Sequence, residues 1–79
     1  MKRFGIVNYD VISDPELSIQ AKGLYSTLSL FANNKRECYP SISTLADLNN
    51  ISQRQVDRLI RELKDKKYIK RTGRVITLV

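Results

Sequence analysis

The chain has 79 residues, 42% of them hydrophobic, which supplies one compact core and excludes two, so a single domain over 1–79 carries the function. Cys38 is the only cysteine and histidine is absent, so there is no internal disulfide and no metal-ligand spacing; no metal or cofactor is expected, and Cys38 reads as a small buried apolar residue in a reducing cytoplasm. The formal charge of +6 is concentrated: residues 1–49 hold five bases against five acids, and residues 50–79 hold nine bases against three acids, which fits a polyanionic partner, nucleic acid or an anionic membrane face.

Lys2 and Arg3 precede the apolar run Phe4 to Val7, which is far too short for a signal-peptide core or a membrane span, so a soluble intracellular protein is expected. Phe4 to Tyr9 is partly β-branched and reads as a short strand or extended arm. Asp14-Pro15 marks a turn and Ser18 an N-cap. Leu17, Ala21, Leu24, Tyr25, Leu28, Phe31 and Ala32 then recur on one helical face, predicting a helix over about 19 to 33. Gly23 inside it costs about 1 kcal/mol relative to alanine, so a close approach to a neighbouring backbone is expected there.

Asn33 to Arg36 reads as a loop, and Cys38-Tyr39 as a brief strand before Pro40. Ser41 caps a short helix to about Leu48, with Ile42, Leu45, Ala46 and Leu48 as its buried set, and Asn49-Asn50 suits a left-handed helix stop. Ser52 caps a third helix. Its apolar residues Val56, Leu59, Ile60 and Leu63 follow the i, i+3, i+4, i+7 rule, and it fades near Lys66-Lys67. Tyr68 to Arg71 and Arg74 to Leu78 read as a hairpin around a Thr72-Gly73 loop, which would set Arg71 and Arg74 opposite each other on the face of Ile69, Ile76 and Leu78. Two like charges so placed at a tip make sense with a phosphate or a minor groove between them; a solvated turn in another register is the alternative.

Two helices separated only by Asn49 to Ser52, with small Ala46 at their approach, suggest a helix-turn-helix. At about 100° per residue, Arg54, Arg58 and Arg61 fall within about 30° of the direction opposite the apolar set. Such a stripe suits a major groove, where guanidinium groups fork onto guanine or clamp phosphates. Gln53 and Gln55 occupy the first turn, from which side chains reach base edges, and are the candidates for discrimination. The competing account is a solvated face on which Asp57, Glu62 and Asp65 pair with these bases. Ser41 and Ser52 are first of all caps, although their helix N-termini also suit a phosphate, and Ser43 and Thr44 add hydroxyls. Lys70, Arg71 and Arg74 complete the candidate set. Tyr25, Phe31, Tyr39 and Tyr68 read as core or rim, not base-stacking groups.

Leu17-Ser18-x-x-Ala21-Lys22-x-x-Tyr25-x-x-Leu28, then Tyr39-Pro40-Ser41-x-x-x-Leu45-Ala46, Ile51-Ser52-x-x-x-Val56-x-x-x-Ile60-x-x-Leu63 and Tyr68-Ile69, together resemble the winged-helix domain of phage and plasmid replication initiators and replisome organisers. The Pro-Ser-x-x-x-Leu-Ala and Ser-x-x-x-Val segments are also similar to those of GntR-type repressors. The resemblance implies an α+β, mainly α fold: three helices and a C-terminal β-hairpin wing. It further implies double-stranded DNA as partner, with the helix from Ser52 in the major groove and the wing around Gly73 beside it, in the cytoplasm of a bacterial or phage-infected cell. Relatives usually continue past the wing into an oligomerisation or effector region, whereas this sequence stops at Val79, so weak binding by the lone module is expected; a homodimer on DNA and a replisome protein are the further candidate partners. Gln55 stands where many relatives have threonine, so no base preference carries over.

Enzymatic activity is not expected, because no paired nucleophile and base, Walker loop or Gly-x-Gly-x-x-Gly segment is present. The alternative to the replication role is a transcriptional regulator with the same fold, and the rival to DNA binding is a protein-interaction module docking through the apolar hairpin face. A membrane-surface role is disfavoured, since Arg54, Arg58 and Arg61 lack a bulky apolar flank on their own face.

Overall fold

The computed structural model describes residues 9–79. The expected arm at Phe4 to Asn8 lies outside the described residues, while Tyr9 opens a helix instead of ending a strand. The elements in chain order are α1 (Tyr9–Ser13), α2 (Ile19–Phe31), β1 (Glu37–Cys38), α3 (Ile42–Asn49), α4 (Gln53–Asp65), β2 (Ile69–Thr72) and β3 (Val75–Leu78). α1 is one helix more than the three expected. Its single apolar anchor, Val11, is fully buried, too little periodicity to register in sequence.

Ser18 has extended backbone and its Oγ accepts from Ala21 N–H at 3.1 Å, so α2 starts where a cap residue allows it. The helix stops at Phe31, two residues short of expectation. Asn33 ends the run: its Oδ1 accepts from the N–H groups of Lys35 and Glu37 at 2.9 and 3.1 Å, and Arg36 takes φ +60° to turn the chain back. That turn delivers β1, which is Glu37–Cys38 and not Cys38-Tyr39, to the hairpin. The sheet order is β1-β3-β2, all antiparallel, and the Arg36 carbonyl accepts from Leu78 N–H at 2.8 Å.

Ala21, Leu24, Tyr25 and Leu28 of α2, Leu45 and Ala46 of α3, Val56, Leu59, Ile60 and Leu63 of α4, and Cys38, Ile69, Ile76 and Leu78 of the sheet form one core. Each fully buried leucine contributes roughly 1.5–3 kcal/mol by transfer from water, and truncating Leu28 or Leu63 to alanine would cost about 2–5 kcal/mol. A domain this small has little more than that to lose.

Three local expectations are corrected. Leu48 is 59% exposed instead of buried, because the core face of the eight-residue α3 is filled by Leu45 and Ala46 with Ile42 at its edge. Tyr39 is 62% exposed, since it follows β1 and points away from the core. At Gly23 no backbone approaches: an added Cβ would meet only Asn49 Oδ1, at 3.8 Å, an ordinary contact.

Candidate nucleic-acid interface

α3 and α4 are joined by Asn50, Ile51 and Ser52. Asn50 sits at φ +55°, its N–H reaches the Asp47 carbonyl and Ile51 N–H reaches the Ala46 carbonyl at 3.0 Å, the paired bonds of a Schellman stop. Ile51 packs against the core, and Ser52 Oγ accepts from Gln55 N–H at 3.1 Å to start α4 at once. The turn therefore fixes both helix ends within three residues.

On α4 the apolar quartet is buried, and Arg54, Arg58 and Arg61 are all exposed. Among the described residues none of these arginines forms an ion pair; the ion pairs formed belong to Lys66, with Glu16 and Asp14. The alternative pairing of these arginines with Asp57, Glu62 and Asp65 is not formed as ion pairs, although Asp57 lines one groove with the three arginines. Glu62 points along the flank of α4, where its carboxylate accepts from Ser18 N–H at 2.8 Å and Ser18 Oγ at 3.2 Å.

That flank is a seam. Gln55, Glu62 and Lys66, spaced seven and four residues apart, share one side of α4, and they meet Gln20, Ser18 and the Glu16–Asp14 pair in turn. Tyr68 closes its far end by donating to Asp14 Oδ2 at 2.7 Å. The Tyr68 hydroxyl, with help from Glu16 N–H, holds the Asp14 carboxyl below its usual range, and the same bond holds the Tyr68 phenol up. The hydrogen bond to Glu16 holds the Lys66 ammonium above its ordinary value. Glu62 and Lys66 are thus used to dock α4, and the arginines are left to solvent.

Gln55 Nε2 donates to Gln20 Oε1 at 2.7 Å, and Gln55 also lines a shallow groove with Arg54, Asp57, Arg58 and Arg61. Gln53, exposed at the first helical position, has no side-chain bond among the described residues. At the start of α3 the hydroxyls are occupied with one another: Ser41 Oγ donates to Thr44 Oγ1 at 2.7 Å, accepts from Thr44 N–H at 3.1 Å and lies 3.3 Å from Ser43 Oγ.

The wing register differs from expectation. Thr72 pairs with Val75 and Arg71 with Ile76, so the two-residue loop is Gly73-Arg74, and the arginines do not face each other. The reason is steric: Gly73 takes φ +60° as the first loop residue, the type II′ pattern, whereas a Thr72-Gly73 loop with the matching twist would force positive φ on a β-branched threonine. Arg71 remains on the face of Ile69, Ile76 and Leu78, and its Nε donates to the Gly73 carbonyl at 3.3 Å. Lys70, paired with Thr77, projects from the other face.

The fold brings the wing to the helices. Arg71 and Arg74 line one groove with Ser41 at the start of α3 and with exposed Tyr39. Lys70 instead borders a second groove with Lys64, Lys67 and Val79. Tyr39, Lys64 and Lys67 are members of these surfaces that sequence reasoning did not select; the basic run after Leu63 was the available signal for the two lysines.

Residues 16–69, more than half of the chain, match the model of a family described as a helix-turn-helix domain. The matched span covers α2 through the first residue of β2 and contains the whole α3–turn–α4 unit. No curated protein and no solved structure matches the chain. Among the described residues no helix is long and apolar enough to cross a membrane.

Proposed function

The chain belongs to a helix-turn-helix domain family, and from that premise we propose that it binds double-stranded DNA with α4 in the major groove and the β2–β3 wing beside it. The observation that carries this reading is the stripe of Arg54, Arg58 and Arg61: exposed, on the second helix of the motif, and without a carboxylate partner among the described residues. Guanidinium groups in a row that form no ion pair repel one another and are useful against a phosphate backbone or guanine O6 and N7. Arg71 and Arg74 supply a second grip next to the start of α3, where Ser41, Ser43 and Thr44 stand, and Lys70 a third. Gln53 is the free base-reading candidate, Ser52 presents the α4 N-terminus to a phosphate, and the activity is binding without catalysis.

Fluorescence anisotropy on random duplexes across a salt series tests this. Log affinity should fall linearly with log salt, and each of Arg54→Ala, Arg58→Ala and Arg61→Ala should reduce the slope by about one if that arginine touches a phosphate. Binding that ignores salt, or that survives the Arg54→Ala/Arg58→Ala pair unchanged, sinks the proposal.

The finer role proposed is the DNA-binding module of a phage or plasmid replication initiator, supported by the resemblance of the Leu17-Ser18-x-x-Ala21-Lys22 segment. Selection of bound duplexes from a random pool, followed by asking whether the selected site supports copying of a circle or repression of a reporter, separates this role from transcriptional regulation. A palindromic selected site supports a homodimer on DNA. Capture of a replisome protein by a variant unable to hold DNA supports the interaction role.

A further inference from the structure

Gln20 lies on α2, outside the helix-turn-helix, exposed two residues past the Ser18 cap. Its Oε1 accepts from Gln55 Nε2 at 2.7 Å, and Gln55 opens into the groove that the three arginines border. A glutamine amide has one carbonyl oxygen and two N–H donors. With one N–H given to Gln20, Gln55 keeps its oxygen and one N–H, the two groups that a glutamine brings to N6 and N7 of adenine in the major groove. An unsupported surface glutamine loses its rotamer freedom when it meets a base, and a neighbour that already holds the amide reduces that loss and restricts its direction. Gln20 is not needed to dock α4, because Glu62 on Ser18 and Lys66 on Glu16 and Asp14 hold the same flank further along.

Resting on the DNA-binding reading, we propose that Gln20 is a specificity-determining positioning residue: it presets the Gln55 amide for one base pair from a helix that lies outside the recognition motif. The test uses the duplex selected from a random pool by the unaltered chain, and variants of that duplex changed at one base pair at a time. Affinities are measured at fixed salt for the unaltered chain, Gln20→Met, Gln55→Met and the double variant. Methionine keeps the length of the side chain and removes the amide. Gln20→Met should lower discrimination at a single base pair about tenfold, within the range carried by one bidentate contact. It should leave affinity for random duplex within about twofold and the melting temperature within about 2 °C, since neither a phosphate contact nor the core is touched. Discrimination by the double variant should equal that of Gln55→Met alone, because Gln20 acts through Gln55.

Unchanged discrimination, an equal loss on every duplex, or additive losses in the double variant each overturn the assignment while leaving DNA binding standing. Failure of the unaltered chain to bind any duplex overturns both, and is read separately in the same titrations.

Discussion

The Glu62 carboxylate on α4 accepts hydrogen bonds from both the backbone N–H and the Oγ of Ser18, the N-cap of α2, at 2.8 and 3.2 Å. In a local capping box the acid sits three residues after the cap; here that position is Ala21, and a residue forty-four positions away supplies the acceptor. The bond ties the start of one helix to the flank of another. Glu62→Ala should lower stability by about 1 kcal/mol, seen as a melting-temperature drop of roughly 4–8 °C for a domain of this size, whereas Glu62→Gln, which keeps an acceptor, should lose less. Equal losses for the two substitutions would argue against the cap.

Two backbone positions call for opposite substitutions with the same expected sign. Lys67 ends α4 at φ +65°, with Lys67 N–H on the Lys64 carbonyl and Tyr68 N–H on the Leu63 carbonyl, the Schellman geometry in which glycine is the usual residue. Lys67→Gly should therefore stabilise by about 0.5–1 kcal/mol, the relief of a left-handed side chain less the added freedom of the unfolded chain. Gly23 is helical with room for a Cβ, so Gly23→Ala should stabilise by about 0.5–1 kcal/mol. Denaturant midpoints moving upward in both variants, with unchanged slope, is the expected result.

Much of this was legible in sequence because it is local. Ser18, Ser41 and Ser52 are caps where a hydroxyl precedes a periodic apolar run, and Asn50 takes the left-handed stop that asparagine tolerates. Lys67 was not legible, since nothing in a lysine side chain announces positive φ; the demand comes from the chain having to leave α4 for β2. The Ser18 partner of Glu62 and the Gln20 partner of Gln55 were not legible for a related reason. Helical angle alone puts a flank residue within reach of several neighbours, and only the position of α2 decides which.

The acid limit follows from Asp14. Its carboxyl is held low chiefly by the Tyr68 hydroxyl and then by Glu16 N–H, so its contribution to stability is present above the unfolded carboxylate range and is lost as pH falls through the lowered value. Urea midpoints measured from pH 6 downward should fall more steeply below about pH 4 in the unaltered chain than in Asp14→Asn. Identical acid limbs would remove Asp14 from the account.

Cys38 is buried, and burial pushes its thiol up to about 11. At neutral pH the folded chain holds almost no thiolate, so a chromogenic thiol reagent should react slowly with the native protein and promptly in denaturant. Fast labelling of the native form would show that β1 opens readily. Cys38→Ser should be destabilising, because a hydroxyl replaces a small apolar group between β3 and the helices.

The sequence by itself determined the helix-turn-helix, the wing and the basic half, because each depends on near neighbours: caps, a 3.6-residue apolar period, a glycine hairpin and a count of charges. Only the tertiary structure decided which polar residues of α4 are spent on the fold and which remain for a partner. Glu62 and Lys66 turn to the segment 14–18, and the arginines, opposite the apolar face of the same helix, form no ion pair among the described residues. The wing register was settled in the same way, by the one residue at the tip able to take positive φ while β3 pairs on both edges. Periodicity gives a side chain a direction; the packed neighbour gives it a partner.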